Sequence, residues 1–169
     1  LEFAAELGPG KFVQTMFETG SAAAKDAYVI SVRDLNVRSE GKTYLPRRFG
    51  WELADKGAGD AAALAREWQM GWATAKTLDK DGEAAKLIRH IYAVQGNAVG
   101  ALASEAGNPE LAWQGHYKVF DEISPESLSN LVNMLGLMER GYEPSKIQRQ
   151  RAEKAIKKEF ADITSQYML

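Results

Sequence analysis

The stretch EAGNPELAWQGHYKVFDEISPESLSNLVNMLGLMERGYEPSK, residues 105–146, decides the fold, because helix stop and start signals alternate along it. Gly107 stands where helices favour a left-handed last residue. Asn108-Pro109-Glu110 then supplies an N-cap acceptor, a proline whose missing N–H costs nothing in a first turn, and an acid at the positive helix end. Trp113, Tyr117, Phe120 and Ile123 recur at the spacing of one helical face. Ser124-Pro125-Glu126 repeats the start chemistry, and Leu128, Leu131, Val132, Leu135 and Met138 continue an apolar face. Gly141-Tyr142 then reads as a glycine stop with its hydrophobic contact. Glu143-Pro144 opens a last helix in which Ile147, Ala155, Ile156, Phe160 and Ile163 are expected inside, with Arg149–Glu153 and Glu153–Lys157 charge pairs outside.

Working toward the N-terminus, Gly59-Asp60 offers an N-cap to a helix whose stripe is Leu64, Trp68, Trp72, Ala75 and Leu78, stopping near Asp79. After the Asp81-Gly82 break, Leu87, Ile88, Ile91, Tyr92, Ala98, Val99 and Leu102 mark a longer helix that runs to Gly107. Connections of a few residues imply antiparallel neighbours. The first 58 residues are less regular. Phe12, Val13, Met16, Phe17, Ala23, Ala24 and Ala27 suit an amphipathic helix, while 27–33 stays open between its tail and a short β-rich strand. Ser39 to Lys42 reads as a turn returning Thr43-Tyr44-Leu45 beside 35–37, and 49–56 reads as a short helix. The fold class expected is all-α: a compact bundle of five or six mostly antiparallel helices, with a small β-hairpin or irregular segment near residues 28–48. No repeat recurs at the period of helical-hairpin arrays.

The bulk composition fits one domain over 1–169. Of the 169 residues 45% are hydrophobic and 26% charged, enough for a core without staples. The absence of cysteine excludes disulfide scaffolds, thiolate metal sites and thiol nucleophiles. No run of about 18 apolar residues exists, so membrane insertion is not expected and the location reads as cytoplasmic, or exported without a recognisable signal. A start at Leu1 rather than Met suggests a module or processed piece of a longer protein, with 1–10 disordered or cloning-derived. Ala, Gly and Arg usage has a bacterial look.

Chemical motifs are sparse. His90 and His116 each lack a second His or Cys one turn away, so no metal or cofactor is expected and both read as helix-surface or boundary residues. No Gly-x-Ser-x-Gly occurs. Gly57-Ala58-Gly59 precedes a helix but follows no expected strand, which argues against a phosphate cradle. Glu67 beside Trp68, or Asp121 and Glu122 beside Phe120, would suit a hydrolase only if two acids met in a cleft. Gly96 and Gly100 cost a helix roughly 1 kcal/mol each against alanine, which close helix packing would offset.

Charge points most directly at a partner. The formal net charge is −2, yet 140–158 is basic and 104–126 acidic. Arg33, Arg38, Lys42, Arg47 and Arg48 cluster around Tyr44 and Phe49, and the last helix carries Lys146, Arg149, Lys154, Lys157 and Lys158. These ten residues are the expected partner-binding set of a non-enzymatic protein–protein interaction or assembly module, self-association included. The alternatives are a nucleic-acid binder using the same cations, a structural component of a bacterial or phage assembly, and, last, the hydrolase.

Overall fold

The computed structural model describes residues 28–29, 42–47, 50–55, 57, 59–77 and 82–167. These residues are mostly helical, with a small antiparallel sheet. The expected helix over 12–27, the hairpin partner at 35–37, Leu78 and residues 1–10 lie outside the described residues.

Among the described residues the sheet has three strands: β1 (Tyr28–Val29), β2 (Lys42–Arg47) and β3 (Gly50–Asp55), with β3 between the other two and both pairings antiparallel. The strand reading of residues 28–29 is the one realised. Residues 50–55 form a strand and not a helix. Thr43, Tyr44 and Leu45 pair with Ala54, Leu53 and Glu52. Only residues 48 and 49 separate β2 from β3, so the tight connection, and not the turn at 39–42, sets this register. Tyr44, Leu45 and Trp51 are buried, and burial pushes the Tyr44 phenol up to about 12.

Beyond the sheet the described residues form five helices. In α1 (Ala61–Ala75), Asp60 Oδ1 accepts from the N–H groups of Ala62 (2.9 Å) and Ala63 (3.2 Å), and Leu64, Trp68, Trp72 and Ala75 are buried. The second helix, α2 (Glu83–Glu105), ends at Gly107 with φ +73° and the doubled closing bonds of a Schellman turn, Asn108 N–H to Ala103 O and Gly107 N–H to Ser104 O. Its Leu87 is exposed, not inside. Helix α3 (Pro109–Lys118) is capped by Asn108 Oδ1 on Leu111 N–H at 3.0 Å, and runs directly into a π-helical turn, Val119–Ile123.

The π-helical turn displaces the start of the next helix. Ser124 N–H reaches back five residues to Val119 O (2.8 Å), and Ser127 N–H closes a turn around Pro125 onto Ser124 O. Pro125 therefore occupies a turn position it favours rather than a first helical turn, and α4 (Leu128–Glu139) starts with Ser127 as its cap. Its inward face is Asn130, Leu131, Met134 and Leu137, while Leu128 and Val132 stand 42% and 44% exposed. Gly141, φ +90°, makes the second Schellman turn with Tyr142 N–H on Leu137 O, and Tyr142 rests on Trp113 at 5.6 Å between ring centroids. Helix α5 (Lys146–Tyr167) begins two residues after Pro144, with Ser145 Oγ accepting from Gln148 N–H at 3.4 Å. Ala152 and Ile156 anchor it. Ile147 is 72% exposed and Phe160 is exposed as well, reversing their expected placement.

The helices are held by two adjoining clusters. One gathers Trp68, Trp72, Tyr92, Val99, Val119 and Ile123; the other gathers Trp113, Tyr117, Leu131, Met134, Leu137, Ala152 and Ile156. Trp68 Nε1–H donates to Tyr92 O at 3.0 Å, locking α1 to α2. Gly96 and Gly100 lie where α2 is closely approached by its neighbours. A Cβ on Gly96 would stand 2.4 Å from both Trp68 Cζ2 and Val119 Cγ2, and one on Gly100 would stand 2.5 Å from the His116 ring. Gly115 of α3 faces the Gly100 backbone, so α2 and α3 touch nearly main chain to main chain.

Candidate functional site

Helix α5 carries the most distinctive surface, and its geometry follows from where its apolar residues fall. Ala152 and Ile156, one turn apart, fix the inward face. At about 100° per residue, the opposite side gathers Lys146, Ile147, Gln150, Arg151, Lys154, Lys157, Lys158 and Ala161. All eight are exposed. Five of them are cations; Glu153 falls on a flank, Glu159 toward the inward side, and Asp162 at the edge of the face, as far from its centre as Lys146.

The expected cations divide into two groups by what they touch. Arg149 Nε donates to Glu153 at 2.9 Å across one helical turn. Arg47 donates to Glu52 at 2.6 Å and to Glu67 at 3.1 Å, tying the hairpin to α1. By contrast, among the described residues Lys146, Lys154, Lys157 and Lys158 enter no ion pair. Lys42 lies in β2 opposite Asp55 in the register. Arg33, Arg38 and Arg48 are outside the described residues. The structure thus gathers the lysines of α5 on one face, and does not bring Arg47 to them.

Two members of the face escape the sequence reading. Ile147 is expected inside by periodicity, and Arg151 is absent from the expected contact set. Arg151 is doubly used: Nη1 donates to Tyr117 Oη at 3.1 Å, Nη2 pairs with Asp121, and the guanidinium lies 6.0 and 5.9 Å from the Tyr117 and Phe120 ring centres. Angular position relative to Ala152 and Ile156 finds both, once those two are taken as the anchors.

The acids weighed for catalysis are engaged elsewhere. Glu67 is held by Arg47, and Asp121 by Arg151. Glu122 accepts from Lys118 at 2.8 Å and from Trp72 Nε1–H at 3.2 Å, with Lys76 at 3.6 Å. The Lys118 hydrogen bond leads in holding its carboxyl below the ordinary range, the reverse of what a general acid needs. No group of three or more His, Asp or Glu that could hold a metal occurs among the described residues.

His90 is exposed, but His116 is 2% exposed, so its surface placement is corrected. Its Nδ1–H donates to Asn130 Oδ1 at 2.9 Å, and Asn130 Nδ2 donates to Ser127 Oγ at 2.8 Å. Burial holds the imidazole below its usual range; the Asn130 bond opposes this and the Arg140 charge adds to it. This chain of polar groups fixes α3 against α4. The loop before α1 does follow a strand, β3, contrary to expectation. It is still no phosphate cradle: Asp60 occupies the first N–H groups of α1, and the space beside Gly59 is filled by Leu45 and Leu64. No helix among the described residues is long and apolar enough to cross a membrane.

Comparison of the chain with family models, with curated proteins and with solved structures gives no match.

Proposed function

We propose that the chain is a non-enzymatic interaction or assembly module that presents the outward face of α5 to an acidic surface of a protein partner. The observation that carries this reading is the makeup of that face: exposed cations gathered about its centre, four of them lysines that enter no ion pair among the described residues. Lysines that enter no ion pair among the described residues steer an acidic partner by long-range attraction, while Ile147 at one end adds an apolar contact. The succession of helix-to-helix contacts supports a compact, mostly antiparallel bundle as the platform. A structural component of a larger assembly is the same reading with a permanent partner.

Nucleic acid is the second reading, since the same cations suit phosphates; the face carries no aromatic residue on which a base would stack. One experiment separates them. Immobilised wild-type chain and a K154Q/K157Q/K158Q variant are exposed to host lysate at about 0.1 M and 0.5 M salt. A protein captured by the wild type, lost by the variant and then shown to bind as a purified component supports the module. Nucleic acid recovered at low salt alone and lost in the variant selects the second reading. Equal capture by wild type and variant overturns both.

A further inference from the structure

The lysine face has a complement on the same molecule. Glu105 follows Ser104, whose Oγ accepts from Arg140 Nη2 at 3.4 Å, so the end of α2 lies against the end of α4, where Glu139 stands. Glu110 stands one helical turn before Trp113, on whose ring Tyr142 rests at 5.6 Å, and Glu143 follows Tyr142. Two Schellman turns, at Gly107 and Gly141, thus bring four exposed acids to one end of the molecule. Arg140 and, at the start of α5, Lys146 offset them only in part. Glu105, Glu110 and Glu139 enter no ion pair among the described residues.

These acids cannot reach Lys154, Lys157 and Lys158 of their own chain. From Ser145 the helix rises about 1.5 Å per residue, which puts Lys154 to Lys158 roughly 13–20 Å away along α5. Both surfaces are therefore left for a partner that carries the opposite charge, and a second copy carries both. The formal net charge of −2 offers little general repulsion between copies.

We propose that the occupant of the α5 lysine face is a second copy of this chain, seated through its acidic end formed by Glu105, Glu110, Glu139 and Glu143. This rests on the interaction-module reading and names its partner. The two patches differ, so the contact runs head to tail: it closes as a two-fold pair when both contacts form at once and extends as a chain of copies otherwise. Attraction between exposed charges makes the association salt-sensitive.

Sedimentation velocity over a protein concentration series tests it, with the purified chain at about 0.05 M and 0.5 M salt. Wild type associates at low salt and dissociates at high salt. K154E/K157E/K158E and E105K/E110K/E139K each weaken the association by about tenfold or more, and an equimolar mixture of the two regains it, because each reversed patch meets its reversed counterpart. Circular dichroism confirms that both variants are folded; if the charge-reversed acidic end is not, E105Q/E110Q/E139Q replaces it and loses association without the rescue arm. A wild-type chain that stays monomeric at about 0.1 mM and low salt overturns the proposal, as does association that both reversals leave unchanged. If the monomeric chain still captures a foreign protein through its lysines, the module reading stands and self-pairing alone falls.

Discussion

Gly100→Ala tests the close crossing of α2 and α3, and the sign of its effect is the informative part. On a solvent-facing helix position, glycine to alanine stabilises by about 1 kcal/mol. Here the new methyl carbon would stand 2.5 Å from His116 Cε1 and Nε2 and 2.8 Å from Cδ2. Ordinary contact requires the ring to move by about 1 Å. The ring cannot swing aside cheaply, because it is buried and its Nδ1–H is fixed on Asn130. Nor can α3 back away readily, since Gly115 already meets the Gly100 backbone. Overpacking of this kind costs about 1–3 kcal/mol, and subtracting the propensity gain leaves a net loss of up to about 2 kcal/mol, or up to about 8 °C in Tm for a domain of this size. Urea unfolding reads it as a lower midpoint with an unchanged slope. Ala101→Gly, at the exposed neighbouring position, gives the propensity term alone, a loss of about 1 kcal/mol. In a His116→Ala background the clash is gone, so Gly100→Ala becomes stabilising and the two substitutions couple by about 1–3 kcal/mol. A Gly100→Ala chain stabilised by about 1 kcal/mol, as an exposed glycine would be, refutes the close approach of α2 and α3.

His116 gives stability a pH dependence. Its folded pKa lies below the unfolded value of 6.5, so the unfolded chain binds the proton first; stability is full above pH 6.5 and falls as pH drops toward the folded pKa, by at most about 1.4 kcal/mol per pH unit. Urea titrations between about pH 7.5 and 5.5 should show this slope reduced in His116→Gln. Glu122, partly exposed and held low by Lys118, works in the opposite sense to a raised group: its contribution is present above the ordinary carboxylate range and is lost as pH falls through its folded value. Glu122→Gln should cost no more than about 1 kcal/mol, discounted for exposure, with less of the loss visible in high salt. Arg47→Met should cost a similar amount and, in hydrogen exchange, lower protection in the β2–β3 hairpin more than in α3, since it releases both Glu52 and Glu67.

Local signals with a single physical meaning were readable from residues alone. Asp60 and Asn108 cap the helices they precede, and Gly107 and Gly141 take the left-handed conformation that ends one. What was not readable depends on choices made between elements. The π-helical turn at Val119–Ile123 inserts an extra residue into the α3 spiral, which no periodicity count reveals, and it moves the start of α4 past Pro125. Once the start shifts, the inward face becomes Asn130, Leu131, Met134 and Leu137, and Leu128 and Val132 turn outward. Residues 50–55 misled for a related reason: Trp51, Leu53 and Ala54 fit a short helical face as well as a strand, and only pairing with β2 decides between them. His116 went unrecognised as a buried group because its two compensations, Gly100 and Asn130, lie sixteen residues before it and fourteen after.

The candidate interface shows how side-chain chemistry sorted cations that composition treats alike. A planar guanidinium offers several donors in fixed directions and can serve two partners at once. Arg47 bridges Glu52 and Glu67, and Arg151 reaches Tyr117 and Asp121 while covering two rings. Lysine, a strongly hydrated point charge on a flexible stem, gains less from such fixed sites and keeps its head in water. On α5 this leaves Lys146, Lys154, Lys157 and Lys158 outward and without ion pairs among the described residues. Charge that the fold already uses is a poor probe of binding, because removing it disturbs the platform as well as the contact. Neutralising Arg47 would therefore confuse instability with lost affinity, whereas neutralising Lys154, Lys157 and Lys158 subtracts surface charge and leaves the ion pairs of the fold in place.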